Sequence, residues 1–188
     1  ISIGSSLDKE LYVAMDVLDY VLCSAPGAPV KQALLDAGIG KDVYSSLETG
    51  IFQPYFSVIS KNADEVQKDA FVELIEDTLI KLVEEGIDKK ALRAAISYFE
   101  FKYREADFGS YPKGLILGLN AFDSWLYEKK APFMHIEAND TYKALREKID
   151  TDYYEKLIER WMITNPHKTI LTVKPVPGLT TKKDAALF

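Results

Sequence analysis

The sequence predicts an α+β domain, a mostly antiparallel sheet with helices packed on one face in two layers. Three observations predict it. Strand-like alternation gathers towards the two ends of the chain, around residues 1–3, 42–60 and 168–174. Apolar residues at helical spacing fill the stretch between them. Strands grouped at the ends and helices grouped in the middle do not make the regular βαβ alternation of a doubly wound sheet.

The opening Ile1-Ser-Ile-Gly4 reads as the tail of a strand, truncated at its start, and the chain as a piece of a longer polypeptide. Ser5, Ser6 and Asp8 then offer N-caps to a helix whose apolar stripe is Leu7, Leu11, Ala14, Met15, Leu18 and Leu22. A Pro/Gly break over Ala25–Pro29 follows, with Pro29 placed in the first turn of a short helix through Leu35. Gly38 and Gly40 end that helix. Asp42–Glu48 and Ile51–Ser60 alternate around Thr49-Gly50, which predicts two antiparallel strands about a tight turn. Pro54 inside the second run points to an edge or a bulge.

From Asp64 the period becomes 3.6. Phe71, Leu74, Ile75, Leu79, Leu82 and Val83 form one stripe, Gly86 stops it, and Asp88 caps a helix lined by Leu92, Ala95, Ile96, Phe99 and Tyr103. A helix over Ser110–Lys129 ends before Ala131-Pro132, and two shorter ones are expected near Asn139–Ile149 and Thr151–Thr164. Lys168–Lys174 is rich in β-formers and is expected to be the last strand, stopped by Pro175 and Pro177. The domain is therefore placed at residues 1–179, with 180–188 the start of a linker or a frayed tail.

Composition narrows the function. The chain has 188 residues, enough for one domain with a real core. A formal charge of −6 argues against nucleic acid, which requires a surplus of Lys and Arg on some face. No apolar run reaches the roughly 20 residues that cross a bilayer, so no membrane partner is expected. The single cysteine, Cys23, excludes an internal disulfide. With no signal or transmembrane pattern, it fits a reducing compartment, cytoplasm or organelle matrix. Cys23 falls on an apolar helix side and reads as a buried structural thiol.

Catalytic signatures are wanting. His135 and His167 lie far apart, and neither has a second ligand at a spacing that would share a helical face. Glu137 follows His135 in an expected loop, and His167 reads as a turn residue. Glu73, Glu76, Asp77, Glu84 and Glu85 lie opposite an apolar stripe and read as a solvated face. No serine sits in a G-x-S-x-G elbow, and Gly38-x-Gly40 lacks the rest of a phosphate loop. No catalytic residue, metal ligand or cofactor is assigned within the chain.

The segment that stands out is Arg104 through Leu115, with Trp125-Leu126-Tyr127 beyond it. Ser110 can cap a helix, Pro112 suits its first turn, and Gly114 and Gly118 leave a smooth stripe for close packing. A second reading has the helix start, with Lys113 or Arg104, meeting an anionic peptide group. Arg104, Ser110, Tyr111, Pro112, Lys113 and Gly114 are therefore the candidate site, for interdomain packing or for a peptide chamber.

These residues also carry a resemblance. The helix Leu7–Cys23 with Pro26–Gly40 and Val43-Tyr44-Ser45, the Arg104–Leu115 run with Trp125-Leu126-Tyr127 and Pro132-Phe133, and Asn165–Lys168 with Val176–Leu179 resemble the second domain of the pitrilysin/insulinase-type zinc peptidases, in their presequence-protease branch. The resemblance implies an α+β domain partnering the zinc-bearing domain and the C-terminal half of the same polypeptide. It implies zinc in the parent, with H-x-x-E-H in a domain other than this one, and a chamber that degrades short unstructured peptides. The chain alone is then expected to be inactive. Two rivals remain, a peptide-binding or scaffold module of the same fold, and an unrelated α+β enzyme with a site on Tyr111, Lys113 and Arg104.

Overall fold

The computed structural model describes residues 1–106 and 108–187. Helix α1 (Lys9–Asp19) starts where Asp8 accepts the backbone N–H of Leu11 at 3.0 Å, and runs on as a π-helical turn, Tyr20–Ser24. Its buried stripe includes Leu11, Ala14, Met15, Leu18 and Leu22, as its spacing predicts. Helix α2 (Pro29–Asp36) begins on its proline. Strands β1 (Asp42–Glu48) and β2 (Tyr55–Lys61) pair antiparallel with Val43 opposite Ser60. Val43 and Phe56 are buried, and β1 packs on α1 and α2.

Residues 1–3 border β2. Ser2 bridges to Tyr55, the N–H of Ile3 donates to the carbonyl of Pro54 at 2.7 Å, and that of Phe56 to Ile1 at 2.9 Å. Pro54 thus serves the sheet as an acceptor at the start of a strand, a place that asks no N–H of it.

The helical layer comprises α3 (Lys68–Glu85), α4 (Lys89–Glu105), α5 (Lys113–Trp125), α6 (Asn139–Glu147) and α7 (Tyr153–Ile158), which continues as a second π turn, Glu159–Ile163. Asp88 caps α4 by accepting from Lys90 N–H at 2.8 Å. One core joins α1, α2, α4, α6 and α7, with Leu79 of α3 reaching into it. Tyr154 is fully buried, and its hydroxyl donates to the carbonyl of Leu145 at 3.0 Å, so that this hydroxyl is not stranded inside.

Three expectations are corrected. Lys168–Lys174 is not a strand: Ser2 N–H donates to His167, and beyond that point no described strand lies beside the segment. It is held instead by ion pairs, Lys168 with Glu76 at 2.8 Å and Lys174 with Glu65, while its apolar side chains face solvent. A β-rich composition cannot form a ladder without a neighbour. The second strand begins at Tyr55 rather than Ile51, because residues 49–54 make a longer connection than a two-residue turn. The polar tail, expected as the start of a linker or a frayed end, is a helix, α8 (Leu179–Leu187), which is no departure from a linker. Finally, Ser110 does not cap α5, which starts three residues later behind Pro112 with no side-chain cap.

Candidate functional site

The candidate residues fall at the joint between α4 and α5. Helix α4 ends on Ala106 in the left-handed region (φ 47°), and Gly109 (φ 60°) turns the chain back. Asp107, in the middle of the segment singled out from the sequence, lies outside the described residues. Lys113 reaches back across the turn and donates from Nζ to the carbonyl of Glu105 at 3.0 Å, so its charge sits at the negative end of α4. Arg104 turns elsewhere. Its guanidinium pairs with Glu100 at 2.5 Å, and Glu100 also holds Arg146 of α6.

The joint therefore separates the six residues. Tyr111 and Lys113 line an open concavity of about 360 Å³ with Phe101, Glu105, Ala106, Phe108 and Gly109. Arg104, Ser110, Pro112 and Gly114 do not line it. Tyr111 is exposed, and a methyl group on Gly114 would meet nothing within 4 Å. The stripe of Gly114 and Gly118 is thus open to the outside rather than packed within the domain. The concavity offers aromatic faces and one lysine already engaged, a surface for contact with no nucleophile paired to a base.

A second polar group lies on the inner side of α5. Tyr12 stacks on the buried His135 ring, with centroids 3.9 Å apart, and its hydroxyl donates to Asp123 at 2.8 Å. Ser124, fully buried beside it, donates to the carbonyl of Ala131 at 2.7 Å. Burial pushes Asp16 up to about 7, and the nearby charges of Asp19 and Asp123 add to the rise while Lys102 opposes it. Burial likewise raises Asp19 and Asp123 and lowers His135. Sequence reading missed this group. The signal was present, since Tyr12, Asp16, Asp19 and Cys23 recur at i, i+4, i+7 and i+11, a polar line running beside the apolar stripe. None of these residues lines the concavity at Tyr111, and their work is to join α5 and the following turn to α1.

Cys23 is buried, and its thiol is pushed up to about 12, first by burial and then by Asp19. It is expected to be silent towards a thiol reagent in the native state and to react stoichiometrically once urea unfolds the chain. Rapid labelling without denaturant would contradict its placement.

The elements together define an α+β domain. Among the described residues no group of three or more His, Cys, Asp or Glu is placed to hold a metal, so the side chains present do not fit a zinc site. No described helix is long and apolar enough to cross a membrane.

Comparison with known proteins places the domain. Residues 3–99 match the model of the Peptidase M16 inactive domain. The chain belongs to that peptidase family, as its non-catalytic domain. It is 42% identical over 185 residues to "Protein HypA" of Clostridium perfringens, covering 98% of this chain and 19% of that protein. It is 33% identical over 183 residues to "Presequence protease 1, chloroplastic/mitochondrial" of Arabidopsis thaliana, covering 95% and 17% respectively. The chain thus spans about a fifth of the length of these curated relatives. In structure it resembles the inactive peptidase domain of a candidate zinc protease from Bordetella parapertussis, with a TM-score of 0.64 at 13% identity over 93% of this chain and 89% of that one. At that identity the likeness speaks for the fold, and it agrees with the α+β class read from the sequence.

Proposed function

We propose that this chain is the supporting domain of a longer zinc-dependent endopeptidase that degrades short unstructured peptides within a closed chamber. The observation that carries the reading is the match of residues 3–99 to the inactive domain of a peptidase family, in a chain whose relatives are about five times longer. Zinc and the general base would belong to another domain of the same polypeptide, and the chain by itself would be inactive. Its partners would be that zinc-bearing domain, the C-terminal half of the polypeptide and the peptide substrates. The compartment would be cytoplasm or an organelle matrix. The joint carrying Arg104, Ser110, Tyr111, Pro112, Lys113 and Gly114 would serve packing against those partners or the wall of the chamber.

The reading is tested by cleavage of a quenched-fluorescent peptide, with this chain and the complete polypeptide compared under added zinc. The expected result is no turnover by the chain and turnover by the complete polypeptide that a chelator abolishes. Turnover by the chain alone would overturn the supporting role. A complete polypeptide that is inert with zinc would replace the peptidase by a scaffold of the same fold.

A further inference from the structure

Helix α5 is amphipathic the wrong way round. Its inner face carries Asn120, Asp123 and the buried Ser124 beside the partly buried Ile116 and Leu117. Its outer face carries none but apolar and glycine residues along Leu115, Gly118, Leu119, Phe122, Trp125 and Leu126, which fall within about a third of a turn at 3.6 residues per turn. Leu115 and Leu119 are each 52% exposed, Phe122 45%, Trp125 49% and Leu126 66%. The rings of Phe122 and Trp125 lie nearly parallel with centroids 5.8 Å apart, so the aromatic end forms one slab.

The face is also without charge. Helix α5 has two charged residues, and both turn away, Lys113 to the end of α4 and Asp123 to Tyr12. From their exposures the five large side chains present roughly 500 Å² of apolar surface, towards the upper end of what a monomer's largest patch ordinarily reaches. That is close to the apolar share of one side of a standard interface, which measures about 800 Å². No other helix or strand of the described residues packs closely along α5.

We infer that the outward face of α5 is the seat of a neighbouring domain of the same longer polypeptide, which meets it with an uncharged, apolar surface. The inference rests on the proposed supporting role and chooses, for this face, interdomain packing over peptide binding. Three observations select the occupant. The matched relatives hold about four-fifths of their length outside the region of this chain. The face is a convex helix rather than a groove, which suits a broad permanent contact better than a passing extended peptide. Its lack of charge calls for a partner surface equally free of charge, since an unpaired charge set against it would lose its hydration without compensation.

The test is the thiol-labelling rate of L119C in the complete polypeptide, measured against K81C, an exposed position on α3 whose side chain is 69% accessible. Cys23 is buried and contributes no background from this domain. L119C is expected to label at least tenfold more slowly than K81C, independent of protein concentration and of added peptide, and F122C is expected to do the same. Equal rates would overturn the inference. Protection that fades on dilution would assign the face to a second copy, and protection that appears only with peptide present would assign it to substrate. Either outcome would also overturn it. Peptidase activity of the same preparations reports on the supporting role separately, so that a fully exposed L119C in an active enzyme would sink this inference and leave the other standing.

Discussion

Gly40→Ala is expected to destabilise the chain by roughly 2–4 kcal/mol, the sum of a strained left-handed residue, a displaced hydrogen bond and a backbone clash. Gly40 has φ +78°, and a Cβ there would lie 2.0 Å from the hydroxyl of Ser60 and 2.8 Å from the carbonyl of Lys61. The hydroxyl is not free to leave, since it donates to the carbonyl of Ile39 at 2.9 Å. The Lys61 carbonyl is fixed as well, because it accepts from Lys41 N–H at 2.8 Å. Gly38 is the natural control. It too has positive φ (+65°), yet a Cβ there meets nothing within 4 Å, so Gly38→Ala should cost only about 1 kcal/mol. Urea midpoints of the two variants decide the matter, and equal losses would show that crowding at Ser60 contributes nothing.

Asp16→Asn should act in the opposite direction, and most strongly at neutral to alkaline pH. Asp16 titrates near 7 in the fold against an ordinary 3.8. Between those values the folded chain holds a proton that the unfolded chain gives up, so stability falls as pH rises through the window from about 4 to 7. Above it, the buried charge costs at most about 4 kcal/mol, at 1.36 kcal/mol per unit. The asparagine carries no such cost. It should therefore raise stability by roughly 2–4 kcal/mol at pH 8 and by only about 1–2 kcal/mol at pH 5. His135 works against it, because burial holds the ring below its ordinary 6.5 and stability is lost as pH falls past that value. With Asp16 removed, the variant should gain less on acidification than the parent does, Asp19 and Asp123 being the raised carboxylates that remain to oppose His135. A D16N chain no more stable than the parent at pH 8 would show that the carboxylate is better solvated or better paired than its surroundings imply.

What could be read in the sequence follows from how local each signal is. The stripe of α1, the proline start of α2, the Asp88 cap and the span of β1 depend on neighbours within a few residues, and the structure has them as expected. Lys168–Lys174 looked like a strand because its composition is that of one, but a strand is defined by a partner, and partners are not written locally. The candidate joint was partly legible. Gly109 and Pro112 marked a turn and a helix start, whereas the pairing of Arg104 with Glu100 and the reach of Lys113 to Glu105 depended on side-chain directions at the end of α4. The polar line Tyr12, Asp16, Asp19 was visible as a spacing but had no meaning until Asp123 and His135, over a hundred residues away, came to lie against it.

The way α5 is fastened has a kinetic meaning. Its inner face is held by directed bonds, Tyr12 to Asp123 and, to the turn that follows it, Ser124 to Ala131, where α1, α2, α4, α6 and α7 are joined by a continuous apolar core. Directed bonds open one at a time and re-form with water, while an apolar core opens only as a whole. Helix α5 can therefore swing away as a separate cooperative unit, its amides exchanging with solvent while those of α1, α4 and α6 stay protected. A part of the chain that is rigid in shape and loose in attachment is suited to be aligned by whatever closes over it.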